Sequence, residues 1–264
     1  MYYNHNSFIR SLSVQKRVIQ ALFLREIITR YGRNNIGFLW LFLEPLLITL
    51  GILTLWKIAK ADSMYGLPII SFMMTGYPLA IMWRNSANRC LNAISANTGL
   101  LFHRNVRILD IFTARVFLEI SGSTIAFILM FLCLLILGWV KMPSNILLMV
   151  LAWFLMAWFS LSLGFVIGVL SEKYSIFSNI WRPVSFLLFP VSGAFFLIDA
   201  LPQKAQHILL YIPMIHGTEM FRQGYFGSAI RTYESIVYLV LINIILLFFG
   251  LAFIRQYSQK LEPL

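Results

Sequence analysis

The stretch ILLMVLAWFLMAWFSLSLGFVIGVL, residues 146–170, contains no charged side chain. A helix rises about 1.5 Å per residue, so a run of this length reaches beyond the roughly 30 Å hydrocarbon core of a bilayer. It lacks period-2 alternation and far exceeds the roughly 10-residue strands of a membrane barrel. The stretch is therefore read as a membrane-crossing helix. Residues 236–254 are likewise free of charge. Working outward on the same criterion, the spans fall at 36–57, 67–88, 113–140, 145–170, 177–198 and 234–254. The third and fourth form a tight hairpin through Lys141, Met142, Pro143 and Ser144, and Arg182-Pro183 and Pro190 interrupt the fifth. The fold class is an all-α integral membrane protein with six transmembrane helices.

Composition agrees. The 264 residues are 59% hydrophobic and 12% charged, against roughly 45–50% and about 25% in soluble domains. Residues 1–35 are polar and carry Arg10, Lys16, Arg17, Arg25, Arg30 and Arg33, which argues against a cleavable signal peptide. Within them Phe8, Leu12, Ile19, Leu22, Phe23 and Ile27 recur at helical spacing. This predicts a basic amphipathic helix over 8–30, lying in the membrane interface. The chain thus divides into an interface helix and connector, 1–35, and a six-span transmembrane domain, 36–264. With both termini cytoplasmic, 15 of the 21 Lys and Arg residues fall on the inner side and 6 on the outer, as the positive-inside rule requires. The net charge of +11 has two readings: arginines anchored on anionic headgroups, or a basic entry surface for a polyanionic substrate. Cys90 and Cys133 lie in different segments without metal-ligand spacing.

Motifs that would convert energy or break bonds are missing. There is no phosphate-binding loop, no Gly-Lys pair, no dinucleotide fingerprint, no His-Glu-x-x-His, no Gly-x-Ser-x-Gly elbow and no nucleic-acid motif. No catalytic residue, bound cofactor or metal ligand is assigned. Any energy for vectorial work must come from elsewhere.

Several features stand out locally. Glu44-Pro45 lies inside the first span, where a carboxylate is costly unless paired or facing a polar cavity. Asp110 and Glu119 flank the start of the third span, within reach of Arg107 and Arg115. Ser160, Gly164 and Gly168 recur at i, i+4, i+8, so they serve close packing within the chain or a dimer seam. Residues 178–227 are broken by Pro190, Gly193, Pro202 and Pro213, then run through His216, Glu219 and Arg222 to Gly224. Short broken apolar segments of this kind re-enter the membrane or cap its outer surface. Glu219 and Arg222, at i, i+3, can share one helical face. Aromatics include Trp83, Trp153, Trp158 and Phe159, which serve lipid contact and helix packing or line a path on which sugar faces stack. With Trp40, Glu44 and Arg84 they form the candidate substrate path.

The basic amphipathic helix, then Arg30-Tyr31-Gly32-Arg33-Asn34-Asn35-Ile36-Gly37-Phe38-Leu39-Trp40, Glu44-Pro45-Leu46, the Pro190-Val191-Ser192-Gly193 stretch and the His216/Glu219/Arg222/Gly224 segment together resemble the permease subunit of a type-2 ABC exporter. The chain is similar in particular to the capsular polysaccharide export permeases of Gram-negative bacteria, the KpsM/BexB kind. That resemblance covers essentially the whole chain. It implies two copies forming a pore in the bacterial inner membrane, driven by two separate ATP-binding subunits that use ATP and Mg. It implies docking of those subunits on Arg25, Arg30 and Arg33 of the helix and on Leu101, Phe102, His103 and Arg104 of the 95–110 loop. It makes Pro190, Gly193, Pro202, Pro213, His216, Glu219 and Arg222 part of a re-entrant outer gate between spans five and six. The cargo would be a lipid-linked, often acidic polysaccharide, handed on to a periplasmic adaptor and an outer-membrane channel. Export of O-antigen, teichoic acid, or small lipids and drugs fits the same scaffold. A membrane-embedded glycan- or lipid-transfer enzyme using His207, His216, Glu219 and Arg222 is the reading from another class.

Overall fold

The computed structural model describes residues 5–31, 43, 46–47, 49–52, 54–56, 58, 63–101 and 106–261. Its first helix, α1, spans His5–Tyr31, matching the interface helix expected over 8–30. Ile27 is buried against Leu118 with Phe23 beside it, whereas Leu24 and Ile28 are left exposed. One apolar row faces protein and another faces outward. The first expected span, 36–57, falls largely outside the described residues, as do Trp40 and Glu44.

Ser63–Met64 (β1) and Leu67–Pro68 (β2) pair antiparallel, Ser63 opposite Pro68 and Met64 opposite Leu67. Tyr65 and Gly66 between them both have positive φ, 56° and 76°, the requirement of a tight type I′ hairpin. This small turn was not expected. It delivers the chain into α2, Ile69–Cys90.

Beyond a one-turn helix at Thr98–Leu101, the helices that follow among the described residues are α3 (Ile108–Ile136), α4 (Ile146–Lys173), α5 (Ser175–Phe189), α6 (Gln203–Leu209), α7 (Pro213–Phe226) and α8 (Ile236–Leu261). Among the described residues three helices are long and apolar enough to cross a membrane: α3, α4 and, within α8, Ile236–Gln259. Phe154 on α4 and Phe248 on α8 are 68% and 67% exposed. Contiguous apolar surface of this kind marks lipid contact. By contrast α2 is the central helix. Phe72, Met73, Met74, Leu79, Met82 and Trp83 are all fully buried, and α3, α4 and α7 pack around it.

Capping chemistry moves the boundaries. α3 begins five residues before the expected 113 because Asp110 Oδ2 accepts the Arg107 backbone N–H at 3.0 Å, satisfying an orphan donor of the first turn. It stops at Ile136, where Gly138 takes φ 71° and Trp139 N–H returns to Leu134 O at 2.9 Å, a left-handed C-terminal cap. Asn145 caps α4, its Oδ1 accepting Leu148 N–H at 3.0 Å. Glu119 binds Arg89 at 3.0 Å, an arginine outside the expected Arg107 and Arg115, and Arg115 binds Glu26 of α1 at 3.2 Å. Arg115 also donates to Arg89 O at 3.0 Å, and Gln15 of α1 donates to Asp110. Helix α1 supplies partners that lie far away in sequence.

The Ser160/Gly164/Gly168 row packs within the chain. A Cβ on Gly168 would sit 2.5 Å from the Phe112 ring, and one on Gly164 would sit 3.0 Å from Val116 and 3.1 Å from Cys90. The fifth expected span, 177–198, departs most. α5 has 15 residues, about 22 Å, which is short of the roughly 30 Å core. It tolerates Pro183 but ends at Phe189, where Pro190 opens a single wide turn to Ala194 and Gly193 reverses the backbone at φ 84°.

Candidate functional site

Beyond that turn the chain makes a 3-10 turn at Ile198–Ala200, then α6 and α7. With 14 residues α7 spans about 21 Å, too little to cross. Nearly every side chain from Met214 to Tyr225 is buried. A Cβ on Gly217 would meet Met156 Sδ at 2.3 Å, and one on Gly224 would meet Met149 N at 2.8 Å. Rising numbers on α7 thus meet falling numbers on α4, so the two run antiparallel and α7 ends at the α3–α4 hairpin. There Ser144 N–H donates to Tyr225 O at 3.1 Å and Asn145 N–H to Gly224 O at 2.7 Å. The Tyr225 hydroxyl accepts from Lys141 N–H at 3.1 Å and donates to Lys141 O at 3.0 Å.

Arg222 is the centre of this region. Its side chain is wholly buried; Nη1 donates to Phe196 O at 2.6 Å and Nη2 to Ala194 O at 2.7 Å. The guanidinium carbon stands 3.9 Å from the centroid of Phe72 on α2, a desolvated cation–π contact. Gly76 permits the approach: a Cβ there would lie 2.6 Å from Ala194 O and 2.7 Å from Arg222 Nη2. Glu219, one turn before, is also buried. Neither carboxylate oxygen receives a hydrogen bond of normal geometry, although the backbone of Ile198 and Tyr233 and the Arg222 charge all face it. The i, i+3 pair shares a face as expected, but the arginine spends its donors on carbonyls of the broken turn.

His216 Nε2 lies 2.8 Å from Leu210 O and Nδ1 accepts Ser235 N–H at 3.0 Å, which fixes the Nε2–H tautomer. Both ring nitrogens are committed. Pro213 opens α7 at its first position, where a missing N–H costs nothing, and Pro202 precedes α6. At the surface Asp199 accepts from the Tyr233 hydroxyl at 2.9 Å and holds that phenol above its ordinary value. His207 is exposed on α6, while His216, Glu219 and Arg222 are bound into packing. These groups do not converge on an open polar site, which counts against a transferase.

At the opposite end of the bundle from the α3–α4 hairpin, Arg25 Nη1 donates to Asn97 Oδ1 at 3.1 Å, joining α1 to the loop that follows α2. Leu101 ends that loop's short helix, Thr98–Leu101. Phe102, His103, Arg104, Arg33 and the Arg30 side chain lie outside the described residues. Of the candidate path, Trp83, Trp153 and Phe159 are core residues. Trp153 Nε1 donates to Thr124 at 2.9 Å and its ring stacks on Phe127 at 5.1 Å. Arg84 lies 5.5 Å from both Phe186 and Phe189 of α5, and Trp158 is half-buried.

A chain of long apolar helices with a proline-broken segment before the last of them has known counterparts. Residues 17–226 match the model of the ABC-2 type transporter family. The chain belongs to that family. It is 52% identical over 262 residues to the capsule polysaccharide export inner-membrane protein BexB of Haemophilus influenzae, covering 99% of each chain. It is 52% identical over 257 residues to the corresponding protein CtrC of Neisseria meningitidis serogroup A, covering 97% of each. It is 30% identical over 251 residues to the polysialic acid transport protein KpsM of Escherichia coli, covering 94% of this chain and 96% of that one.

In this ABC-2 transporter chain the residues most firmly built into the two ends of the bundle include several that sequence reasoning passed over. Asn97, Ser171 and Glu172 hold the loop after α2, and Gly76 and Phe72 receive Arg222. Only the adjacency of Glu172 to the end of a span hinted at a role. Gly76 carries no local signal, since its value depends on a carbonyl 118 positions later.

Proposed function

We propose that this chain is the membrane-spanning permease of an ATP-driven exporter that moves capsule polysaccharide from the cytoplasm across the inner membrane. The observation that carries this is identity of about one residue in two, over nearly the full length, to two proteins named for that export step. The chain itself is not the enzyme; ATP and Mg are used by two separate ATP-binding subunits. These dock on α1, through Arg25, Arg30 and Arg33, and on the 95–110 loop, through Leu101, Phe102, His103 and Arg104.

Two copies of the six-span domain, 36–264, form the pore, with both termini in the cytoplasm and residues 1–35 along the inner surface. The segment 198–222 re-enters from the outside as a gate. Its short helices, its proline breaks and the antiparallel contact of α7 with α4 support that role. Trp40, Glu44, Arg84 and Trp158 are the side chains assigned to the path, since Trp83, Trp153 and Phe159 are occupied in the core. A periplasmic adaptor and an outer-membrane channel receive the polymer. Deleting the gene from its native host tests the reading: polymer should accumulate in the cytoplasm and vanish from the surface, and the restored chain should reverse both. Surface polymer unchanged by the deletion would overturn it.

A further inference from the structure

Both ends of α4 are hydrogen-bonded to segments that stand on opposite sides of the membrane domain. At the inner end Glu172 Oε1 accepts the backbone N–H groups of Ile94 at 2.7 Å and Ser95 at 3.1 Å, and the Ser95 hydroxyl at 3.4 Å. Ser171 Oγ accepts Asn92 N–H at 3.2 Å while donating to Gly168 O at 2.7 Å. Asn92 itself sits at φ 52°, so the reversal after α2 is fixed where Ser171 holds it. At the outer end the backbone of Ser144 and Asn145 donates to Tyr225 and Gly224, and Gly224 is pressed against Met149. Between these ends α4 runs for 28 residues without a proline. A continuous packed helix carries displacement, whereas kinks at proline or inserted side chains absorb it.

We infer that α4 is the strut coupling the inner loop to the outer helices, and that Glu172 is the positioning residue by which the loop grips it. The inference rests on the proposed docking of an ATPase at the 95–110 loop. A carboxylate gathering two backbone N–H groups and a hydroxyl is suited to this. Charge-assisted bonds are about twice as strong as neutral ones, and they bind the loop by its backbone whatever its side chains do. Arg25, donating to Asn97, closes the same loop from the α1 side. A push on α1 and the loop therefore reaches α4 at Ser171 and Glu172, and the outer end moves α7.

The test uses the complex with its ATPase in lipid nanodiscs, which leave both faces open to solution. Ser228, exposed in the turn after α7, is replaced as Ser228→Cys in a Cys133→Ser background, and its rate of reaction with a membrane-impermeant maleimide is measured with and without ATP. The parent should show an ATP-dependent change in rate. Glu172→Ala should shrink that change about tenfold, the effect of losing a charge-assisted bond of typical strength. Glu172→Gln, whose amide oxygen still accepts both N–H groups, should retain most of it, and Ser171→Ala should fall between. A merely structural role would alter the ATP-free rate and leave the response intact. A full ATP response in Glu172→Ala, or equal loss in the Ala and Gln variants, overturns the inference. No response in the parent, with the ATPase bound and hydrolysing, overturns the docking reading beneath it.

Discussion

Replacing Arg222 by Met removes the charge and keeps most of the side-chain volume. In the parent the guanidinium satisfies the carbonyls of Ala194 and Phe196 and stacks on Phe72. Methionine leaves two buried carbonyls without donors and leaves Glu219 buried with no cation beside it. Each charge-assisted bond is worth about 1.5–3 kcal/mol net, and breaking one side of a buried charged set costs about 3–5 kcal/mol. We expect Arg222→Met to destabilise the chain by about 3–5 kcal/mol, read from reversible denaturation in detergent by tryptophan fluorescence. Arg222→Lys should recover no more than about half, because a point charge cannot fork to two carbonyls while lying flat on a ring. Part of the cost belongs to Glu219. In a Glu219→Gln background the same Arg222→Met change should cost less, with a coupling of about 1–3 kcal/mol in the double-mutant cycle. A loss below about 1 kcal/mol for Arg222→Met, or simple additivity with Glu219→Gln, would refute the reasoning.

Three further outcomes are expected. Gly224→Ala should lower the melting temperature more than Gly217→Ala, because its new Cβ meets the Met149 backbone N at 2.8 Å, whereas that of Gly217 meets the flexible Met156 end; Met156→Ala should restore stability only to Gly217→Ala, which otherwise loses about 1–3 kcal/mol. Trp153→Phe and Thr124→Val should each cost about 1 kcal/mol through the shared Nε1–H to Oγ1 bond, and chemical denaturation of the double variant should show clear non-additivity. Deleting residues 8–30 should abolish co-purification of the ATP-binding subunit, and Arg25→Ala should weaken it. Undiminished binding after the deletion would count against docking on α1.

What the sequence made legible follows from what periodicity and hydropathy can encode. Lipid-facing α3, α4 and α8 show long apolar runs because their surroundings are apolar on every side, so their existence was read correctly and only their ends moved. The ends moved for reasons written in single polar atoms. Asp110 and Asn145 cap their helices, while Gly138 stops α3. The helix over 8–30 was equally plain, because apolar residues recur along it at helical spacing. The fifth segment was misjudged in extent, since an apolar run through Leu188, Phe195 and Ile198 looks continuous to a hydropathy window. It ends early because Pro190 and Gly193 change the backbone, not the polarity.

The functional regions were legible to a lesser degree, and the reason is contact distance in sequence. His216, Glu219 and Arg222 drew attention because ionisable groups in an apolar segment are costly, and the structure does place all three in buried, constrained surroundings. Their partners gave no such sign. Arg222 needs carbonyls at 194 and 196 and a ring at 72, and Glu119 needs Arg89 where the nearer Arg115 is already taken by α1. A local rule pairs charges by proximity along the chain, whereas a folded membrane domain pairs them by which helix face is left without water. In that setting an unpaired group costs several kcal/mol, so the choice of partner is settled by burial before sequence spacing has any say. The aromatics illustrate the same point from the other side. Trp153 and Phe159 were read chiefly as packing or lipid-contact residues and also as candidates for a sugar-lined path, and the hydrogen bond to Thr124 and the stack on Phe127 assign Trp153 to the core.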